Sequence, residues 1–435
     1  MVTRRTIRTG LTSLVLGTLL AIGACSESDA QHAPSGNAIS APVRGTSFDA
    51  YVQSTRTQLY DILSKGRYAS ETKPFGDYDI DQVVDMRSPY SVAPDQAACD
   101  AAGGNLVHGE KVGFLAVHGL TDSPYWLSDV RDQLRMRFPC ATFNGVLLPG
   151  HGTTPGDLID VSYQDWLDTV RFGIGAFGDD IEHIIPIGYS MGAALIGRDI
   201  SARVTDARIS AMIMLSPGLE AKSEMAWLTP YVRYFKDWVG QGPESDPAKY
   251  GSMAMNAAAE FHLVTEPYRD GSLPTSTTPV FIAISSDDQT VNPLAAVDYF
   301  CSKVNSGIKK MIWYQGEINE LSGHPRCDNI DIISSSNDDM RTINHAHTAI
   351  TMSPDNPVYG LNGTIRDCGH YDDPAEHEAC ETGSDTVYGE RNLLQSATAG
   401  TLRRGTFNPD FPNMIEMMAA FIVASLGGGQ TPAAQ

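Results

Sequence analysis

Residues 184–195 read Ile-Ile-Pro-Ile-Gly-Tyr-Ser-Met-Gly-Ala-Ala-Leu, an apolar strand pattern that runs into an alanine-rich helical pattern. At the junction, Gly188 and Gly192 flank Ser190. A strand that turns sharply into a helix leaves no room for side chains at these two positions, and the turn holds the serine in a strained, exposed conformation. A serine presented in this way is typical of a nucleophile. In the alternative interpretation, Ser190 only caps a helix that begins among glycines.

Short apolar runs alternate with longer segments of helical spacing on both sides of this motif. The predicted strands are 112–117, 142–147, 183–187, 209–215, 280–284 and 310–314. The predicted helices are 126–136, 163–175, 191–202 and 293–304. Because such alternation is typical of a parallel sheet with crossover helices, we expect one α/β domain over residues 47–435, with helices on both sheet faces.

One connection is longer than a crossover needs, since a strand–helix–strand link requires only about a dozen residues. We therefore expect an inserted, largely helical cap at about residues 217–275. Its large apolar side chains suggest either a subdomain that packs on itself or a lid that lines an acyl pocket. They are Trp227, Tyr231, Tyr234, Phe235, Trp238, Met253 and Met255.

A serine hydroxyl attacks a carbonyl only with help from a base and from donors that meet the developing oxyanion. The sequence His118-Gly119-Leu120 follows directly on the strand predicted at 112–117. Its loop leaves the sheet beside the Ser190 turn, so the main-chain N–H groups of Leu120 and Met191 are the predicted oxyanion donors. We expect His118 itself to be structural.

Three motifs occur in the order Ala116-Val117-His118-Gly119-Leu120-Thr121-Asp122-Ser123, Leu148-Pro149-Gly150-His151-Gly152 and Gly188-Tyr189-Ser190-Met191-Gly192. Together they resemble the carboxylesterase and monoacylglycerol lipase branch of the α/β hydrolases. The resemblance covers about residues 112–290 and becomes patchy in a longer C-terminal region at about 315–410. It implies the α/β-hydrolase fold and ester hydrolysis through an acyl-enzyme on Ser190, with no cofactor. The short His-Gly-Leu loop is similar to that of enzymes that accept medium or longer acyl chains.

The resemblance also points to the acid that orients the base. The family pattern at the turn after the strand predicted at 280–284 is an aspartate, two residues and then valine. Asp288 and Val291 match this pattern, and Asp287 is then expected to be a solvated neighbour. An acid is needed there because it fixes the histidine tautomer and stabilises the imidazolium.

Five histidines follow Asp288, and chain order alone admits all of them as the base. His347 is preferred because residues 344–360 resemble the histidine loop of longer, secreted relatives, with 341–344 as the last strand. His324 remains an alternative because Ser322-Gly323-His324 resembles the loop of short family members, and His345 is a third candidate. We expect the remaining two, His370 and His377, to be structural. No histidine lies in a zinc-binding pattern, so no metal site is predicted.

The N-terminal residues are predicted to be an export signal. Basic residues Arg4, Arg5 and Arg8 precede an uncharged apolar run, 11–24, that is shorter than the roughly 20 residues of a membrane-spanning helix. The run ends in Leu20-Ala21-Ile22-Gly23-Ala24-Cys25, which resembles the lipobox of bacterial lipoproteins. We expect cleavage after residue 24, lipidation of Cys25, a flexible tether over 25–46, and a protein anchored in the cell envelope, in the periplasm or at the outer membrane.

Six further cysteines, an even number in an exported chain, predict disulfides. Nearness along the chain favours the pairs Cys99–Cys140, Cys301–Cys327 and Cys368–Cys380. Asp and Glu outnumber Lys and Arg by 52 to 31, a net charge of −21, so nucleic acid is not an expected partner.

The expected partners are the membrane, through the lipid, and a small-molecule or lipid ester as substrate. Acyl transfer does not reveal the leaving group, so a serine peptidase or thioesterase is the alternative within enzymes. An inactive surface-binding module that keeps the fold is the alternative outside them.

Overall fold

The computed structural model describes residues 31–202, 206–318 and 320–427, and an eight-stranded sheet is its central element. The strands are β1 Tyr90–Val92, β2 Val112–Val117, β3 Thr142–Val146, β4 His183–Tyr189, β5 Met212–Leu215, β6 Val280–Ser285, β7 Lys309–Gln315 and β8 Ile330–Ser334. Their order in the sheet is β1-β3-β2-β4-β5-β6-β7-β8. Only β1 is antiparallel to its neighbour, and all other adjacent pairs are parallel.

All six strands expected from the sequence are present, and their ends differ by at most a few residues. The prediction of a last strand at 341–344 is wrong. Thr342 forms only isolated bridges, to Asn337 and Tyr388, and the last strand of the sheet is Ile330–Ser334. This edge strand escaped detection because it has one neighbour and is only partly buried, so its sequence is not a continuous apolar run.

Helices cover both faces of the sheet, as expected. Within the described ranges, those of seven or more residues are Phe48–Lys65, Ile80–Arg87, Gln96–Ala102, Ser128–Arg137, Tyr163–Gly175, Met191–Ala202, Met255–Arg269, Pro293–Ser302, Pro374–Thr382 and Phe411–Ser425. Shorter helical segments include Arg67–Ser70, Thr229–Val232 and Leu394–Thr398. None of the described helices is long and apolar enough to cross a lipid bilayer.

Two apolar layers hold these helices to the sheet. In β2, Leu115 and Val117 point into one layer and Phe114 and Ala116 into the other, because successive side chains of a strand alternate between faces. All six residues of this strand are buried, as expected for the interior of a parallel sheet.

The three predicted disulfides are confirmed: Cys99–Cys140, Cys301–Cys327 and Cys368–Cys380. Each closes a short loop, the longest spanning 41 residues. Cross-links of this kind stabilise a fold mainly by restricting its unfolded chain. The predicted signal and the lipidation site, Cys25, lie outside the described residues.

The segment inserted between β5 and β6 is less helical than its sequence suggests. It contains the helix Met255–Arg269 and a small antiparallel pair of strands, Trp238–Gly240 and Met253–Ala254. Neither interpretation of its aromatic residues holds for all of them, since four of these side chains are more than half exposed. These are Trp227, Tyr231, Tyr234 and Phe235.

Candidate active site

Ser190 lies between the end of β4 and the helix Met191–Ala202, in the left-handed region at φ 52°. A non-glycine residue rarely adopts this conformation, so the backbone is strained there. A β-carbon at Gly188 would stand 2.5 Å from the main chain of Ala193, and one at Gly192 would stand 2.1 Å from the carbonyl oxygen of Val117. Both glycines are therefore required, and the second lets the helix approach the end of β2.

His347 lies beside this serine, with its Nε2 atom 3.0 Å from the Oγ atom of Ser190. Its Nδ1 atom is 2.6 Å from Oδ2 of Asp288. The other carboxylate oxygen of Asp288 accepts hydrogen bonds from the main-chain N–H groups of Thr290 and Val291. The structure thus brings together Ser190, His347 and Asp288, which come from three distant parts of the chain.

Asp287 is not the solvated neighbour that the sequence suggested. It is fully buried, and its carboxylate accepts hydrogen bonds from the main-chain N–H groups of Glu317 and Ile318. Burial raises its pKa to about 6. The turn after β6 therefore directs one carboxylate to His347 and the other to the loop after β7.

The two alternative histidines lie elsewhere. Nε2 of His324 is 2.9 Å from Oδ1 of Asp298, on the helix that carries Cys301. His345 is buried with its ring 4.7 Å from that of Tyr314, and burial lowers its pKa to about 3. Neither side chain is hydrogen-bonded to Ser190 or Asp288.

The histidines of the first two motifs join the loops that carry them. Nε2 of His118 accepts a hydrogen bond from the N–H of Leu148, so the ring proton is on Nδ1, which donates to the carbonyl of Gly119. Nε2 of His151 accepts from the N–H of Thr121 in the same way. Burial holds the pKa of both imidazoles down, that of His151 at about 4. Both are therefore neutral and structural, as expected for His118.

The loop after β2 borders the serine closely. A β-carbon at Gly119 would stand 3.0 Å from the β-carbon of Ser190. The next main-chain N–H, that of Leu120, and the N–H of Met191 have no acceptor among the residues that the structure describes. Met191 is also the first residue of its helix, where the helix dipole favours negative charge. Two free donors thus flank Ser190.

Asp122, in the same loop, places a carboxyl near the serine. A β-carbon at Gly119 would stand 2.5 Å from Oδ2 of Asp122, and the β-carbon of Ser190 lies close to the same position. Burial raises its pKa to about 7, although Lys249 and His347 oppose the shift. The charged residue inside the first motif was visible in the sequence, but its position at the serine was not.

Two more residues of the site, Glu390 and Arg404, have no signal in the local sequence. Both lie in the C-terminal region and are buried. Glu390 accepts a hydrogen bond of 3.2 Å from the main-chain N–H of His347 and two from Arg404, at 2.9 and 3.2 Å. Arg404 also donates to Oγ1 of Thr290, in the Asp288 turn. This buried ion pair therefore connects the loops of His347 and Asp288.

Within residues 31–202, 206–318 and 320–427, there is no group of three or more His, Cys, Asp or Glu side chains suited to hold a metal ion.

A model described as the alpha/beta hydrolase family matches residues 106–377 of the chain. No curated protein matches it. Among solved structures, the chain is similar to a metagenome-derived lipolytic enzyme. The identity is 18%, 52% of this chain and 87% of that chain are covered, and the TM-score is 0.43.

Two further structures are similar over comparable lengths. A soluble variant of monoglyceride lipase from Saccharomyces cerevisiae is 12% identical, with 53% of this chain and 83% of that chain covered and a TM-score of 0.41. The monoacylglycerol lipase of Paleococcus ferrophilus is 16% identical, with 55% and 91% covered and a TM-score of 0.41.

Proposed function

Because the chain belongs to the alpha/beta hydrolase family, we propose that it hydrolyses carboxylic esters through an acyl-enzyme formed on Ser190. The observation that carries the proposal is the hydrogen-bonded series Ser190 Oγ, His347 Nε2, His347 Nδ1 and Asp288 Oδ2, with separations of 3.0 and 2.6 Å. A nucleophile within reach of a base, itself oriented by an acid, is the arrangement that acyl transfer requires.

In the proposed reaction, Ser190 Oγ attacks the ester carbonyl carbon while His347 Nε2 removes the hydroxyl proton. The carbonyl oxygen becomes an oxyanion and accepts hydrogen bonds from the N–H groups of Leu120 and Met191. The carbon–oxygen bond to the alcohol then breaks, and His347 returns the proton to the leaving oxygen. A water molecule then gives a proton to His347 Nε2 and attacks the acyl carbon. The bond from this carbon to Ser190 Oγ breaks, His347 returns the proton to Oγ, and the carboxylic acid leaves. Besides water, the scheme uses only side chains and main-chain groups of this chain.

Asp288 contributes to the scheme by holding the imidazole. Its carboxylate accepts a hydrogen bond from the Nδ1–H group, which leaves Nε2 unprotonated toward Ser190, and it stabilises the imidazolium that forms. The two main-chain hydrogen bonds from Thr290 and Val291 fix the carboxylate itself. Its orientation therefore does not depend on the histidine alone.

The test is covalent labelling followed by turnover. A fluorophosphonate probe is expected to label the wild-type protein and Ser201→Ala, and not Ser190→Ala. Ser201 is a matched control because it lies near the end of the helix that Ser190 precedes. With p-nitrophenyl butyrate, Ser190→Ala should lose about 10⁴-fold or more in kcat. Near wild-type turnover by Ser190→Ala would refute the proposal, and faster cleavage of matched thioesters or peptide anilides than of esters would reassign the substrate class.

The location outside the cytoplasm is also a proposal. Export and lipidation at Cys25 are supported by the signal pattern of residues 1–24 and by the three disulfides, which persist in oxidising compartments. The substrate would then be an ester that reaches the cell envelope.

A further inference from the structure

The inserted segment presents a concentrated set of exposed apolar side chains, here called the cap patch. Its members are Met225, Trp227, Tyr231, Tyr234, Phe235 and Val239. The structure describes thirteen exposed large hydrophobic side chains, and six of them fall within these fifteen residues. Phe235 is 91% exposed and Tyr234 is 73% exposed. Single exposed apolar residues are ordinary on a protein surface, but a cluster of large ones marks a binding surface.

The N-terminal end of the described chain reaches the same part of the molecule. The ring of His32 lies edge-on to that of Trp238, with 5.7 Å between centroids. The Nε2 atom of His32 is 3.1 Å from the carbonyl oxygen of Gly242. A few residues later, Ser35 donates two hydrogen bonds to the carboxylate of Asp157, at 2.7 and 2.6 Å. The chain is therefore attached next to Val239, at one end of the cap patch.

The proposed lipid site is close to this attachment point along the chain. Cys25 precedes His32 by seven residues, and an extended chain spans at most about 3.6 Å per residue, or about 25 Å in all. A lipid on Cys25 would hold His32 within about that distance of the bilayer, and Trp238 lies beside His32. The lipid would thus keep one end of the cap patch near the membrane.

We propose that the cap patch binds the surface of the lipid bilayer in which the N-terminal lipid is inserted. This inference rests on lipidation of Cys25 for its geometry and goes beyond ester hydrolysis itself. Tryptophan and tyrosine favour the bilayer interface because one end of each ring system is apolar and the other is polar. With a net charge of −21, the protein is repelled by anionic lipid, so a zwitterionic bilayer is the partner.

Binding in this orientation would bring the bilayer to the catalytic end of the sheet. The cap begins beside Ser190, because Gly218 donates a main-chain hydrogen bond of 3.0 Å to the carbonyl of Ser190. A β-carbon at Gly218 would also stand 3.1 Å from the ring of Phe261, on the cap helix Met255–Arg269. The segment that carries the cap patch therefore starts at the serine.

The experiment measures vesicle binding by the unlipidated chain from residue 26, which keeps every residue that the structure describes. In flotation with phosphatidylcholine vesicles, the wild-type sequence is expected to bind. Tyr234→Gln/Phe235→Gln should reduce the bound fraction at least tenfold. The matched control is Met136→Gln/Leu394→Gln, which removes side chains 65% and 76% exposed on other surfaces and should bind like wild type. Because all four side chains are exposed, unchanged thermal unfolding is expected for both variants.

Three results would overturn the proposal: no binding by the wild-type sequence, equal binding by Tyr234→Gln/Phe235→Gln, or equal loss in the control. A dimer in sedimentation that Tyr234→Gln/Phe235→Gln converts to a monomer would instead assign the cap patch to self-association. Turnover of p-nitrophenyl acetate in solution, measured in parallel, reports on the proposed ester hydrolysis alone. Failure of that activity and failure of vesicle binding are therefore separate outcomes.

Discussion

The main-chain N–H of His347 donates its hydrogen bond to a carboxylate, that of Glu390, which lies 43 residues further along the chain. Glu390 is fully buried, and the Arg404 guanidinium holds its pKa below the usual range. The same guanidinium donates a hydrogen bond to Oγ1 of Thr290, in the Asp288 turn. The position of the imidazole relative to Asp288 therefore depends on an ion pair in the C-terminal region, outside the three family motifs.

Glu390→Gln is expected to lower kcat by about tenfold to a hundredfold while changing KM little, because small displacements of a catalytic group are costly. Steady-state kinetics with p-nitrophenyl butyrate measure this. The substitution also leaves Arg404 without its main partner, so a lower unfolding temperature is expected. Glu390→Gln/Arg404→Met should recover part of that stability but not kcat. Glu381→Gln, which alters an exposed carboxylate of the same region, should leave both unchanged, and wild-type kcat in Glu390→Gln would exclude a positioning role.

His347→Ala is expected to lower kcat by several orders of magnitude, and to cost almost nothing further when Ser190→Ala is already present. When two residues act together in one reaction step, removing either side chain already removes their joint contribution to kcat, so removing the second costs little more. His324→Ala should retain turnover because its partner is Asp298, and its effect should appear in thermal unfolding. An inactive, well-folded His324→Ala together with an active His347→Ala would transfer the role of the base to His324.

Asp122→Asn is expected to stabilise the protein more at pH 8 than at pH 5. Burial raises the pKa of this carboxyl to about 7, above its ordinary value of 3.8, so the folded state holds the proton more tightly than the unfolded state. The free energy of unfolding of the wild-type protein therefore falls as the pH rises from 3.8 to about 7. Above that range, the folded protein carries a buried negative charge on Asp122. The difference between the two pH values should be about 3 kcal/mol. Chemical unfolding of both proteins at both pH values measures it, and an equal effect at pH 5 and pH 8 would contradict the raised pKa.

Gly192→Ala is expected to destabilise the fold severely, since its β-carbon would stand 2.1 Å from the carbonyl oxygen of Val117 at the end of β2. The carbonyl of Val117 belongs to the main chain of the sheet and cannot rotate away, so the start of the helix must move. Gly175→Ala is the matched control, at the end of another helix with no atom within 4 Å of the new β-carbon. It should stabilise the protein slightly, by roughly 0.4–1 kcal/mol. Similar unfolding temperatures for the two variants would mean that the close approach at Gly192 is not needed.

Cys25→Ala is expected to abolish labelling by a radioactive fatty acid and partitioning of the protein into a detergent phase. Removing the acylated thiol removes the lipid, whereas the cap patch alone supports only reversible binding. The assay compares the full-length chain with and without the substitution in cells. Unchanged labelling of Cys25→Ala would show that the lipid is attached elsewhere.

Local sequence was sufficient for features that depend on neighbouring residues. The turn at Ser190 requires glycines two positions away on either side, and Asp288 is held by the N–H groups of the next few residues. The central strands were also predictable, because strands buried on both faces are continuous apolar runs. The edge strand Ile330–Ser334 was not, because Ile332 is 51% exposed and its pattern is mixed.

By itself, the sequence determined the fold class, the three disulfide pairs and the strained serine turn, since each follows from periodicity or from residues close together in the chain. Tertiary structure alone decided which histidine meets the serine, that Asp287 is buried, and that Glu390 and Arg404 connect the loops of His347 and Asp288. Such contacts join segments tens to hundreds of residues apart, and their partners are chosen by packing that no local pattern encodes. The same reason explains why the sequence did not show that four aromatic residues of the cap are more than half exposed, namely Trp227, Tyr231, Tyr234 and Phe235.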